Sequence, residues 1–117
     1  MNYADGCVYD GLWEDGYKHG AGKEQWPDGS YFVGGFKADL KDGFGEICFK
    51  DGSHYKGEFK RDMMDGDGVF VWKTGKRYQG QFKDNSMSGN GVYRWPNGKE
   101  YRGGFLDDER HGFGVVR

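Results

Sequence analysis

Side chains able to do chemistry are common in this 117-residue chain, so the first question is whether their spacing builds a site. The segment Gly16-Tyr17-Lys18-His19-Gly20-Ala21-Gly22-Lys23 comes closest to a phosphate-cradling loop, but Glu24 follows the lysine where a Ser or Thr would reach Mg²⁺. Asp62-Met63-Met64-Asp65-Gly66-Asp67 opens like a calcium loop. Lys73 then stands where a glutamate should close a 12-residue site, which removes the reading. No two of His19, His54 and His111 have zinc-ligand spacing, and histidines on loops are read as solvated. The many carboxylates fall mostly in turn-like contexts, with no His, Ser or Cys held beside them by a regular pattern. The sequence therefore predicts no catalytic residue, no metal site and no cofactor.

What organises these residues is a period of 23. WPDGS at 26–30 returns as WPNGK at 95–99 because both occupy the same place in a repeated unit. Units start at Tyr9, Phe32, Tyr55, Tyr78 and Tyr101 and align without insertion or deletion. The expected array is one domain over 1–117: a partial repeat at 1–8, repeats 9–31, 32–54, 55–77 and 78–100, and a partial repeat at 101–117. All of the 23 glycines except Gly16, Gly35 and Gly104 fall on four places of the unit. Most aromatics fall on three: Tyr9, Phe32, Tyr55, Tyr78, Tyr101; Trp13, Phe36, Phe59, Phe82, Phe105; and Tyr3, Trp26, Phe49, Trp72, Trp95.

A mean hydropathy of −0.96 is thin material for a closed core, but an array of this kind buries each unit against its neighbours. The first half of a unit alternates, as in Tyr78-Gln79-Gly80-Gln81-Phe82, placing both rings and the glycine on one strand face. In the second half Gly89, Gly91, Tyr93 and Trp95 are expected to share a face. No helical period occurs, and glycines this dense would cost a helix about 1 kcal/mol each. Each unit is thus read as a β-hairpin. The Asx-Gly or Thr-Gly pair between units is a short-turn signal, whereas the loop inside the unit reads as the longer one. Within that inner loop Gly16, Asp39, Asp62, Asn85 and Asp108 are expected to be left-handed.

Alternating loops of this kind make an all-β antiparallel meander: an elongated, single-layer, twisted and curved open ribbon of about ten strands, around 45–50 Å long. Rings are expected to lie flat over the bare backbone of Gly80, Gly89 and Gly91, the arrangement called aromatic rescue in designed sheets.

The unit Y-x-G-x-W/F, a short loop, then G-x-G and a late G, in five registered copies, resembles the MORN (membrane occupation and recognition nexus) repeat. It departs from that pattern at Phe32 and at Asp39, Asp62, Asn85 and Asp108, where many members carry Gly. The resemblance implies an elongated β scaffold or recognition module beside cytoskeletal or membrane structures, sometimes attached to a catalytic domain. It implies no activity of its own.

Three functional expectations follow. A partner protein segment, extended or helical, could occupy a groove formed by Tyr9, Trp13, Trp26, Phe32, Phe36, Phe49, Tyr55, Phe59, Trp72, Tyr78, Phe82, Trp95, Tyr101 and Phe105, with Trp72, Tyr78, Phe82 and Trp95 at its centre. Alternatively the rings only cover glycines. Anionic lipid is a second candidate through Lys56, Lys60, Arg61, Lys73, Lys76 and Arg77, although Glu58, Asp62, Asp65 and Asp67 interleave with them. A third reading makes the chain a targeting fragment of a larger enzyme or repeat protein. A pI near 5.9 argues against nucleic acid. Terminal strands at Asn2–Gly6 and Gly112–Arg117 are expected to offer edges for self-association. Cys7 and Cys48 occupy different places in the repeat, so they are read as reduced thiols of an intracellular protein, and the resemblance adds the expectation of a cytoplasmic site beside cytoskeleton or membrane.

Overall fold

A computed structural model describes residues 6–106 and 108–116. Ten strands lie in one antiparallel sheet in strict chain order: β1 (Val8–Glu14), β2 (Tyr17–Gln25), β3 (Tyr31–Lys37), β4 (Leu40–Cys48), β5 (His54–Lys60), β6 (Met63–Val71), β7 (Arg77–Lys83), β8 (Ser86–Arg94), β9 (Glu100–Leu106) and β10 (Glu109–Val116). β1 and β10 are the outer strands, so the sheet is an open ribbon. Its extents of 48 × 24 × 17 Å match ten strands placed side by side.

The two connections differ in the opposite sense from the one expected. The loop inside a unit is the short one, two residues such as Arg61-Asp62 between β5 and β6. Both residues have positive φ, 51° and 70° there and 50° and 70° at Asp84-Asn85, the geometry that matches strand twist in a two-residue hairpin. The left-handed conformation expected at Gly16, Asp39, Asp62, Asn85 and Asp108 is present. The connection between units is longer. Trp26 N–H donates to the Ser30 carbonyl and Gly29 N–H to the Trp26 carbonyl, both at 3.0 Å, with Gly29 at φ 94° closing the loop. The same pair of bonds recurs at Phe49, Trp72 and Trp95.

The Asx residue of each inner loop ties its hairpin to the one before. Asp62 N–H donates to the Lys41 carbonyl at 2.9 Å while its Oδ1 accepts from Lys41 N–H at 2.7 Å. Asp39 clamps Lys18, Asn85 clamps Met64 and Asp108 clamps Met87 in the same way. A glycine there would supply the φ but not the second bond.

The strand glycines divide into two kinds. Gly57 pairs Gly68 and Gly80 pairs Gly91 across the inner hairpins, and Tyr55 and Tyr78 lie over these pairs. Gly89 does not take part, contrary to expectation. It sits at φ 72° in a bulge where the β7–β8 register slips, and Gly20, Gly43 and Gly66 do the same in their units. A side chain shields the bulge: Gln81 Oε1 accepts from Asn90 N–H at 3.1 Å, and Glu58 Oε2 from Asp67 N–H at 2.8 Å.

The core is a line of rings on one face. Tyr9–Phe36–Phe32–Phe59–Tyr55–Phe82–Tyr78–Phe105–Tyr101 meet edge to face, with successive centroids 5.0–5.3 Å apart and planes at 80–88°. Such pairs contribute about 0.5–1.5 kcal/mol beyond their burial. Each tyrosine of this line donates its hydroxyl to the carbonyl three residues on, as Tyr78 does to Gln81 at 2.9 Å. Phe32 has no hydroxyl to donate.

Candidate functional site

The predicted groove residues separate into two populations. The spine rings Tyr9, Phe32, Phe36, Tyr55, Phe59, Tyr78, Phe82, Tyr101 and Phe105 are interior, none more than 5% exposed. Tyr78 and Phe82, placed at the centre of the expected groove, therefore present no free surface. They form its floor. Burial pushes the Tyr78 phenol up to about 12, and that of Tyr55 is raised by burial and then by the Glu58 carboxylate. Trp13 packs edge-on against Tyr9 at 5.0 Å and remains 43% exposed.

The third set behaves differently. Trp26, Trp72 and Trp95 are half-buried against the spine, and Phe49 is 37% exposed. Phe70 and Tyr93, which the sequence reading does not place in the groove, bridge them: Phe49–Phe70 at 5.9 Å, Phe70–Trp72 at 4.6 Å, Trp72–Tyr93 at 5.3 Å, Tyr93–Trp95 at 4.8 Å. The result is a second aromatic file beside the spine, on the same face. Clefts lie at both ends. One of about 540 Å³ is lined by Trp26, Lys41, Ile47 and Phe49, and one of about 480 Å³ by Met87, Tyr93, Trp95 and Arg110.

One further place in the unit decides how this face is covered: residues 18, 41, 64, 87 and 110. Lys18 Nζ lies over Tyr9 and Phe36 and pairs with Glu24, while Lys41 Nζ lies over Trp26 at 5.4 Å and Phe32 at 5.5 Å and pairs with Asp62 at 3.6 Å. Met64 and Met87 take this place in the third and fourth units, and Arg110 returns over Tyr101 at 5.5 Å. Glu24 likewise gives way to Ile47, Phe70 and Tyr93 at its place. The ring face thus changes from charged cover at its start to apolar cover in units three and four. The equivalence at fixed spacing was visible in the sequence, but its meaning depends on which way the side chain leans.

The basic residues considered for lipid do not converge. Lys56 and Arg77 lie on the reverse face, where with His54, Val69, Val71 and Gln79 they line a depression of about 650 Å³. Lys60 follows Phe59 and so points to that reverse face as well. Arg61 is in an inner turn on one long border of the ribbon; Lys73 and Lys76 are in a connection on the other. On the reverse face Glu100 bonds Arg102 at 2.7 Å and Arg94 at 3.0 Å, and those two bonds hold its carboxyl below the usual range. Among the described residues no group of His, Cys, Asp and Glu could hold a metal ion, and no helix is long and apolar enough to cross a membrane. Cys7 and Cys48 are not disulfide-bonded. Residues 2–5 and 117 of the expected terminal strands lie outside the described residues, and among the described residues β1 pairs only with β2 and β10 only with β9.

An open ribbon of repeated hairpins with a continuous ring spine defines a β-repeat module. The MORN repeat model matches residues 9–31, 32–54, 55–77, 78–100 and 101–117, and the chain belongs to that family of non-catalytic repeats associated with membranes and with binding other proteins. Among curated proteins none matches it.

Proposed function

We propose that this chain is a non-catalytic scaffold that binds a segment of a partner protein along the second aromatic file, at cytoskeletal or membrane-proximal structures of the cytoplasm. The supporting observation is the division of the rings. The spine satisfies its own packing, whereas Phe49, Phe70, Trp72, Tyr93 and Trp95 form a file that neighbouring strands cover only in part. An apolar file left partly open on a polar chain is the usual mark of a docking site. From Phe49 to Trp95 the file crosses about four strand spacings, roughly 19 Å, which about 13 helical residues or six extended ones would span.

The test is selection from a displayed random peptide library on the wild-type chain and on Trp72→Ala/Trp95→Ala, with far-UV circular dichroism to show that the sheet persists. Binders that depend on the two tryptophans support the reading. Equal recovery by the folded double variant overturns it, as does association with phosphatidylserine vesicles in the absence of any peptide binder.

A further inference from the structure

The two long borders of the ribbon differ in where carboxylates stand, and the aromatic file lies beside only one of them. The inner turns, on one border, supply Asp39, Asp62 and Asp108, whose carboxylate oxygens are engaged by strand N–H groups at 2.7 Å. The connections on the other border begin with the file's own residues. In units three and four they read Trp72-Lys73-Thr74-Gly75-Lys76 and Trp95-Pro96-Asn97-Gly98-Lys99, with no carboxylate. Lys73 and Lys99 are exposed and Lys76 is half-exposed; the ion pairs of the described residues include none of the three, while Lys73 stands near enough to Asp51 to help hold that carboxyl below its usual range, after the bonds from Ser53. The first two connections differ, since Asp28 and Asp51 occupy them and each carboxylate is bonded to its own loop serine. Open apolar surface and lysines outside any close ion pair of the described residues therefore coincide at units three and four, where Met64 and Met87 also replace the lysines that cover units one and two.

We propose that the partner segment is amphipathic and acidic: apolar anchors fill the file between Phe49 and Trp95, and Asp or Glu residues on its adjoining flank meet Lys73, Lys76 and Lys99. The inference rests on the docking function assigned above and names the chemistry of what docks. A protein segment accounts for the geometry better than a lipid surface does. The tryptophan rings fold back onto Phe70 at 4.6 Å and Tyr93 at 4.8 Å, so the file runs across the face and the lysine-bearing connections border it. Lys73 and Lys76 share one connection and Lys99 stands in the next, about two strand spacings or roughly 10 Å from Lys76, so the three form one basic border for an acidic flank.

The same displayed library reads this directly through the composition of the binders that require Trp72 and Trp95. The wild-type chain should enrich Asp and Glu beside an aromatic or aliphatic anchor. Lys73→Glu/Lys76→Glu/Lys99→Glu should lose that enrichment and weaken a synthetic acidic binder roughly two- to fivefold per charge reversed, with the loss shrinking as salt rises. Those substitutions sit on exposed loop positions, and circular dichroism shows whether the sheet is kept. Tryptophan-dependent binders without acidic bias, or with affinity unchanged by the triple reversal, overturn this inference and leave the docking function standing. Failure to select any tryptophan-dependent binder overturns both. Salt-sensitive binding to phosphatidylserine vesicles that competes with the acidic peptide and proves the tighter of the two assigns the lysines to a membrane and overturns the acidic-segment inference.

Discussion

Adding one methyl group to Gly45 tests the ring-over-glycine packing on which the ribbon depends. A Cβ built there would stand 2.5 Å from Cζ and 2.6 Å from Cε2 of Phe32, over 1 Å inside an ordinary carbon–carbon contact. Phe32 is 0% exposed and cannot slide, because Phe36 at 5.2 Å and Phe59 at 5.0 Å hold it on both sides. Expelling the ring forfeits its burial, about 2–3 kcal/mol, together with two edge-to-face contacts of about 0.5–1.5 kcal/mol each. Replacing a strand glycine recovers about 0.5–1 kcal/mol of chain entropy. The expected net cost of Gly45→Ala is about 3 kcal/mol, read as a fall in the urea midpoint followed by circular dichroism and tryptophan fluorescence. Gly52→Ala is the matched control, since it has φ 96° but nothing within 4 Å, and should cost only about 1–2 kcal/mol of left-handed strain. Phe32→Ala removes the two ring contacts and leaves the Val33 carbonyl oxygen at 3.1 Å, so Gly45→Ala in that background should cost well under half of its cost in the wild type. Equal costs for Gly45→Ala and Gly52→Ala, or additive costs in the double variant, would refute the packing argument.

Removing the Asx clamp separates its two parts: Asp62→Gly keeps the left-handed backbone and loses the bond to Lys41 N–H, costing about 1 kcal/mol, while Asp62→Ala adds about 1–2 kcal/mol of backbone strain. Wild-type urea midpoints for both variants would remove the clamp as a stabilising contact. Phe32→Tyr places a hydroxyl where the spine tyrosines donate to the carbonyl three residues on, and should raise stability by about 0.5–1 kcal/mol in the same assay. At high pH the sign follows from the phenols. Tyr78 is raised to about 12 against an ordinary 10.0, so its contribution is whole below pH 10 and is lost as pH climbs toward 12. Phenolate absorbance followed alongside circular dichroism should show Tyr78 and Tyr55 titrating only as the sheet unfolds, and complete tyrosine titration near pH 10 with the sheet intact would contradict their burial.

Much of the fold is legible because the period repeats every constraint five times. Strand, hairpin and open meander all follow from Tyr-x-Gly-x-Phe and its register, and the family match covers the same units. Other features are hidden by the limits of residue type. A glycine under a ring and a glycine in a bulge look alike in sequence, so Gly91 and Gly89 are separable only by φ. Arg61-Asp62 forms a two-residue turn although Arg seldom accepts positive φ, because the clamp on Lys41 holds the tip in place. Nor does composition say which rings are covered. Tyr78 lies flat over Gly80 and Gly91 and vanishes from the surface, whereas Trp72, equally aromatic, leans on Phe70 and keeps part of its ring open. The pattern passes over Phe70, and it places Tyr93 on the right face but not in the groove, because their place in the unit holds Glu24 and Ile47 elsewhere.

Strand order has a mechanical corollary. Since β1 and β10 are at opposite ends and every strand runs across the ribbon, tension applied to the two chain ends pulls the backbone hydrogen bonds along their own direction and opens them one rung at a time. Strands loaded lengthwise would have to break a whole ladder at once. This ribbon therefore yields at low force, by peeling hairpins from its ends, and each released unit lengthens the tether by roughly 65–75 Å, its extended length less the about 10 Å that two strand spacings already spanned. Extension thus proceeds in equal steps, one for each 23-residue unit.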